Sequence, residues 1–204
     1  QGVLVLRVAT REPAAAPRFG YQEGKVEGGG VLHRGAGAKE APVRLLLHGF
    51  PTSSQRFRDL IPRLADKDHV IAPDYPGYGY SEMPDRAQFS YTFANYTDIV
   101  DKFTSAVGID RYALYVMDYG APIGYRLALK HPERVTGFIV QNGNAYDEGL
   151  LAFWDPIKAY WNTGASAERE NLRWLTKLKA TNWQYTNGAR DVTRPLTGGS
   201  WASA

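Results

Sequence analysis

Between about residues 43 and 141, short apolar runs alternate with segments of helical periodicity, and that alternation leaves few architectures open. Val43-Arg44-Leu45-Leu46-Leu47 stops at His48-Gly49. His69-Val70-Ile71-Ala72 ends in the turn-rich Asp74-Tyr75-Pro76-Gly77-Tyr78-Gly79. Tyr112 to Met117 is apolar throughout, which predicts a central strand covered on both faces, and Val135 to Val140 predicts a fourth strand. Between them, Ser53 and Ser54 offer N-caps to a segment carrying Phe57, Leu60, Ile61 and Leu64 at helical spacing. Thr92 to Val107 places Ile99, Val100, Phe103 and Val107 on one helical face, with Gly108 as the stop. A third helix carries Ile123, Tyr125, Arg126, Leu127 and Leu129 and ends at His131-Pro132, because proline disfavours helical geometry in the residue before it. The expected fold is α/β, with an open and mostly parallel sheet.

The flanks read differently. Residues 1–41 form an irregular N-terminal segment in which Pro13 to Pro17 and Gly28-Gly29-Gly30 act as breakers and Val3 to Val8 is a candidate strand. After Tyr146 the alternation stops, and Leu150 to Trp161 and Ser166 to Leu178 read as helices. All five Trp lie in this part, at 154, 161, 174, 183 and 201, so residues 147–204 form a separate compositional unit. It reads either as a lid on the sheet or as an extra packing layer.

Composition removes several classes of function. No apolar run approaches the ~20 residues of a membrane-spanning helix. The chain has no Cys, hence no disulfide framework and no thiolate metal site. The net charge is +3, but Lys and Arg are interleaved with Asp and Glu and form no basic stripe with aromatics, so no nucleic acid is expected as partner. Gly28-Gly29-Gly30 lacks the Lys-Ser/Thr of a phosphate loop, and neither cofactor nor metal is expected. No signal peptide is visible, which makes the cytoplasm the expected location.

The chemistry concentrates where the central strand meets its helix, at Val116-Met117-Asp118-Tyr119-Gly120. A strand that turns sharply into a helix pushes its turn residue outward and needs small neighbours. A carboxylate there is held ionised by the free N–H groups and dipole of the helix, and can attack an alkyl carbon to form an ester. An ordinary N-capping Asp would occupy the same position. Taken in order with His48-Gly49-Phe50-Pro51 and Asp74-Tyr75-Pro76-Gly77-Tyr78-Gly79-Tyr80-Ser81, this stretch resembles the α/β-hydrolase superfamily. The Asp at the elbow resembles the epoxide hydrolase and haloalkane dehalogenase branch. The resemblance covers roughly residues 42–190, and the remainder after Asn142 resembles the start of that branch's helical cap.

The resemblance implies roles. Asp118 would be the nucleophile, the backbone N–H groups of Phe50 and Tyr119 would form the oxyanion hole, and His48, Gly49 and Pro51 would shape that loop. Related dehalogenases commonly carry Asn after the His-Gly and Trp after the nucleophile, both donating to halide; here Phe50 and Tyr119 stand in those places. Epoxide hydrolases use cap tyrosines to donate to the epoxide oxygen, for which Tyr160 and Tyr185 are candidates, with Trp154, Trp161 and Trp183 as further substrate-binding residues.

The family's general-base His follows the cap, whereas the four His here are 33, 48, 69 and 131. The tail, Thr197 to Ala204, does not resemble the family's continuation, so the C-terminal strands are expected to be missing. The expected function is hydrolysis of a small apolar electrophile, an epoxide before an alkyl halide or ester, through an ester on Asp118. The alternative is a homologue deficient in turnover that binds ligand or self-associates through an exposed sheet edge or its cap. Val135 to Val140 carries no charge and no Pro to guard such an edge.

Overall fold

The computed structural model describes residues 21–26 and 29–188. The candidate strand Val3 to Val8 and the tail from residue 189, with Trp201, lie outside the described residues. Six strands form one sheet: β1 (Tyr21–Val26), β2 (Gly29–Ala36), β3 (Val43–Leu47), β4 (His69–Pro73), β5 (Tyr112–Met117) and β6 (Val135–Gln141), in the order β1-β2-β4-β3-β5-β6. β1, β2 and β4 pair antiparallel, whereas β4, β3, β5 and β6 run parallel. The helices are α1 (Ile61–Leu64), α2 (Phe93–Ala106), α3 (Gly120–Lys130), α4 (Asp155–Thr163), α5 (Ser166–Asn171) and α6 (Leu178–Thr186). No helix of the described residues is long and apolar enough to cross a membrane.

Alternation along the central strands divides the core in two, because successive side chains point to opposite faces. Leu45, Leu47, Ile71, Leu114 and Val116 face one way and meet Ile99, Val100 and Phe103 of α2 and Ile123 and Leu127 of α3. Leu46, Val70, Ala72 and Met117 face the other way and meet Phe57 and Ile61. This two-sided burial is why these strands read as unbroken apolar runs. Thr92 caps α2 by accepting from the Asn95 N–H at 3.2 Å, and Gly108 leaves it at φ +74°. The C-terminal ends of β3, β4 and β5 therefore lie along one edge of the sheet, where three loops converge.

Three expectations need correction. Gly29 and Gly30 open β2 instead of breaking the chain: they pair with Val26 and Lys25 of β1, while His33 to Ala36 at the other end of the strand pair with β4. The segment after Ser53 is not one helix: a 3-10 turn over Ser54–Phe57 precedes α1, because the Asp74 carboxylate captures the Ser54 N–H at 2.7 Å. Ser166 to Leu178 is likewise divided, into α5, a 3-10 turn over Arg173–Thr176 and an extended Lys177 at φ −102°, ψ 150°.

Candidate active site

Asp118 occupies the turn between β5 and α3 at φ +48°, a left-handed conformation uncommon for a residue with a side chain. The turn is tight because α3 starts almost against the sheet. A Cβ at Gly120 would lie 2.2 Å from the Leu47 carbonyl oxygen, and one at Gly124 would lie 2.5 Å from a Val116 methyl. From the loop after β3, Gly49 passes so close that a Cβ there would lie 2.3 Å from the Cβ of Asp118. This approach brings two backbone donors onto one carboxylate oxygen. The Phe50 N–H donates to Asp118 Oδ1 at 3.0 Å, and the Tyr119 N–H donates to the same atom at 2.7 Å. No hydrogen bond is recorded on Oδ2 among the described residues, and Asp118 is exposed to the cavity before it.

His48 holds the loop from below. It is fully buried, stacks on Tyr75 with ring centroids 4.2 Å apart, and bonds through Nδ1 to the Gly49 carbonyl at 3.0 Å. The Tyr75 N–H reaches its Nε2 at 3.5 Å, and the Tyr75 hydroxyl donates to the His48 carbonyl at 3.0 Å. A ring that donates at one nitrogen and accepts at the other is neutral. Burial holds its pKa down, outweighing the Gly49 carbonyl and the Asp74 charge, to about 4 from 6.5. The unfolded chain then binds a proton between pH 6.5 and 4 that the folded chain refuses, so stability is full above 6.5 and declines toward 4. The loss attributable to His48 is on the order of 3 kcal/mol. Urea midpoints measured from pH 7 to 4.5 should fall less steeply for His48→Gln than for the unaltered chain; parallel slopes would refute the assignment.

The third loop is organised by Asp74, fully buried. Its Oδ1 accepts from the Ser54 N–H at 2.7 Å and its Oδ2 from the Tyr80 N–H at 3.1 Å. Ser81 closes the turn by donating to the Asp74 carbonyl at 2.7 Å while accepting from the Leu32 N–H at 2.9 Å.

Before Asp118 lies an open cavity of about 1620 Å3. Its walls join Phe50, Pro51, Asp118 and Tyr119 with Trp154 and Trp161. Of the aromatics expected at the cavity, Tyr160, Trp183 and Tyr185 are not brought to it. Trp154 and Trp161 are separated by two helical turns, so they share a face with rings 5.9 Å apart, and Tyr160 points about 100° away from Trp161. Trp183 is taken up by stacking on Phe153 at 5.7 Å, and α6, which carries Tyr185, contributes nothing to the walls. The cavity's tyrosines are Tyr78, Tyr91, Tyr96 and Tyr119, from the sheet side. Sequence reasoning missed the first three; the Gly-Tyr-Gly turn was the available signal for Tyr78. None of the four histidines lines the cavity. Among the described residues no three His, Cys, Asp or Glu are grouped to hold a metal ion.

A mixed, mostly parallel sheet with a strained acidic elbow, backed by paired N–H donors at the C-terminal edge of its parallel strands, defines an α/β-hydrolase site. The chain belongs to the alpha/beta hydrolase fold family, whose sequence pattern matches residues 42–181. It is 51% identical over 134 residues to an uncharacterized hydrolase of Saccharomyces cerevisiae, a match covering 65% of this chain and 46% of that protein. It is 38% identical over 112 residues to a haloalkane dehalogenase of Bradyrhizobium diazoefficiens, covering 55% of this chain and 35% of that one. The crystal structure of haloalkane dehalogenase DbeA from Bradyrhizobium elkani superposes with a TM-score of 0.62 at 28% identity, over 84% of this chain and 55% of the other. These relatives place the chain in the dehalogenase-like branch of the superfamily. The matches span less than half the length of the curated relatives.

Proposed function

We propose that the chain carries the nucleophile half of a hydrolase that opens small apolar electrophiles, epoxides before alkyl halides, through an ester on Asp118. The observation that carries the reading is the asymmetry of the Asp118 carboxylate: Oδ1 accepts from two backbone N–H groups, no hydrogen bond is recorded on Oδ2 among the described residues, and Asp118 lines the cavity. Oδ2 attacks the electrophilic carbon, the bond to the leaving oxygen or halide breaks with its electron pair, and an alkyl ester remains. The same two N–H groups then face the ester carbonyl, where they would stabilise the oxyanion formed when water adds. Two points favour an epoxide. Phe50 and Tyr119 occupy the places where related dehalogenases carry halide donors, and a Phe side chain cannot donate. Tyrosines also line the cavity, and a hydroxyl suits an oxygen leaving group. The dehalogenases among the relatives favour the halide reading, so both probe classes belong in the test. Incubation with styrene oxide or 2-phenylethyl iodide should add one probe mass per chain, on the peptide containing Asp118. An unlabelled chain, or a label elsewhere, would refute the reading.

We also propose that this chain on its own pairs with a second copy through β6. That strand is an edge of the described sheet, and Phe138, Ile139 and Val140 are 43%, 42% and 49% exposed in succession. Beside it runs an open groove of about 1020 Å3 lined by Tyr125, Leu129 and Phe138, away from Asp118. Light scattering over a concentration series should show association that Phe138→Lys weakens. A monomer at every concentration would refute it.

A further inference from the structure

The Asp74-to-Ser81 loop is the sequence motif to which the nucleophile, its N–H donors and the cavity's Trp residues give no task. Its construction is costly. Gly77 and Gly79 both take left-handed conformations, at φ +82° and +55°, and a Cβ at Gly79 would lie 2.1 Å from Asp74 Oδ2. Asp74 is buried with both oxygens committed to the loop and to Ser54. The side chain set between the two glycines is Tyr78, and it turns inward to the cavity wall that also carries Asp118. Its ring is fixed by His48 at 5.3 Å, Tyr75 at 6.0 Å and Tyr96 at 6.2 Å.

Two of the cavity's other tyrosine hydroxyls are already engaged. Tyr91 donates to the Pro84 carbonyl at 2.5 Å and Tyr96 to the Pro76 carbonyl at 3.3 Å. For the Tyr78 hydroxyl no hydrogen bond is recorded among the described residues. The Tyr119 hydroxyl shares that property, but its ring is braced between Phe50 at 5.9 Å and Phe93 at 5.0 Å, and its N–H already serves Asp118. We infer that Tyr78, held inward by the Gly77–Gly79 turn, is the hydrogen-bond and proton donor to the oxygen that leaves when Asp118 opens an epoxide. Burial, the neighbouring Tyr96 and Tyr119, and the Asp118 charge raise its pKa well above the ordinary phenol value, so the hydroxyl stays protonated across the neutral range. In the step, Asp118 Oδ2 forms the new C–O bond, the ring C–O bond breaks, and the oxygen keeps the electron pair and takes the Tyr78 proton. The phenolate then recovers a proton from water. The donor would thus come from the sheet side, not from Tyr160 or Tyr185 of the cap.

This inference rests on the Asp118 reading, and one experiment separates them. Labelling rates on Asp118 are measured in the full chain with styrene oxide and with 2-phenylethyl iodide, whose iodide departs without a proton. Tyr78→Phe keeps the ring and its packing, which a melting curve checks. It should slow the epoxide reaction on the order of 10^2-fold and the iodide reaction less than about threefold. Equal slowing of both probes would show a packing role and overturn the proposal, as would no slowing or an epoxide-specific loss confined to Tyr119→Phe. An unaltered chain that neither probe labels would instead remove the Asp118 reading, and this inference with it.

Discussion

Asp118→Asn should abolish covalent labelling, by about 10^3-fold or more, while leaving the fold almost unchanged. The site's geometry makes this a clean experiment. Asparagine is among the few residues that tolerate left-handed backbone, so φ +48° persists. Its amide oxygen can take the place of Oδ1 and accept from the Phe50 and Tyr119 N–H groups at the present 3.0 and 2.7 Å. What changes is the other oxygen, Oδ2: an anionic oxygen becomes an amide nitrogen whose lone pair is delocalised, and nucleophilic attack fails. A 10^3-fold loss corresponds to about 4 kcal/mol of barrier. In the unaltered chain the ester should also persist, because none of the four histidines reaches the cavity to activate water. Intact mass followed over hours, with assay of released diol, measures both. Diol release in many turnovers by the chain alone would show that another group acts as the base.

The parts of this site visible in the sequence are those whose physics is local. β3, β4 and β5 are buried on both faces, so Leu45 to Leu47 and Tyr112 to Met117 announce themselves as apolar runs, and the motifs fall where those runs end. Asp118 was legible for the same reason: a strand and a helix are joined with no room for a loop. β2 was not, because two of its first residues are glycines and its place in the sheet is conferred by β4. In the Trp-rich segment, composition showed that aromatics gather, and helical periodicity could have paired Trp154 with Trp161. It could not show that Trp183 would stack on Phe153, or that the cavity's hydroxyls would come from Tyr78, Tyr91 and Tyr96. Those depend on how separate elements meet.

Gly120→Ala tests whether the elbow is held by contact or merely adorned with a small residue. The added methyl would sit 2.2 Å from the Leu47 carbonyl oxygen, 2.7 Å from its carbon and 2.9 Å from its Cβ. The first two are backbone atoms of β3, which is hydrogen-bonded to β4 and β5 on either side and cannot withdraw alone. The start of α3 must therefore move outward by roughly an ångström, against the packing of Ile123 and Leu127, both fully buried. A displacement of this kind costs about 3 kcal/mol, the upper part of the range for overpacking. The melting temperature should accordingly fall by on the order of 10 °C. Labelling should fall too, because Tyr119 precedes Gly120 and its N–H would be carried away from Asp118 Oδ1. Gly137→Ala is the matched comparison: on β6 an added Cβ meets nothing within 4 Å, so neither the melting temperature nor the labelling rate should drop. Equal behaviour of the two variants would mean that α3 and β3 are not in the contact that gives Asp118 its conformation.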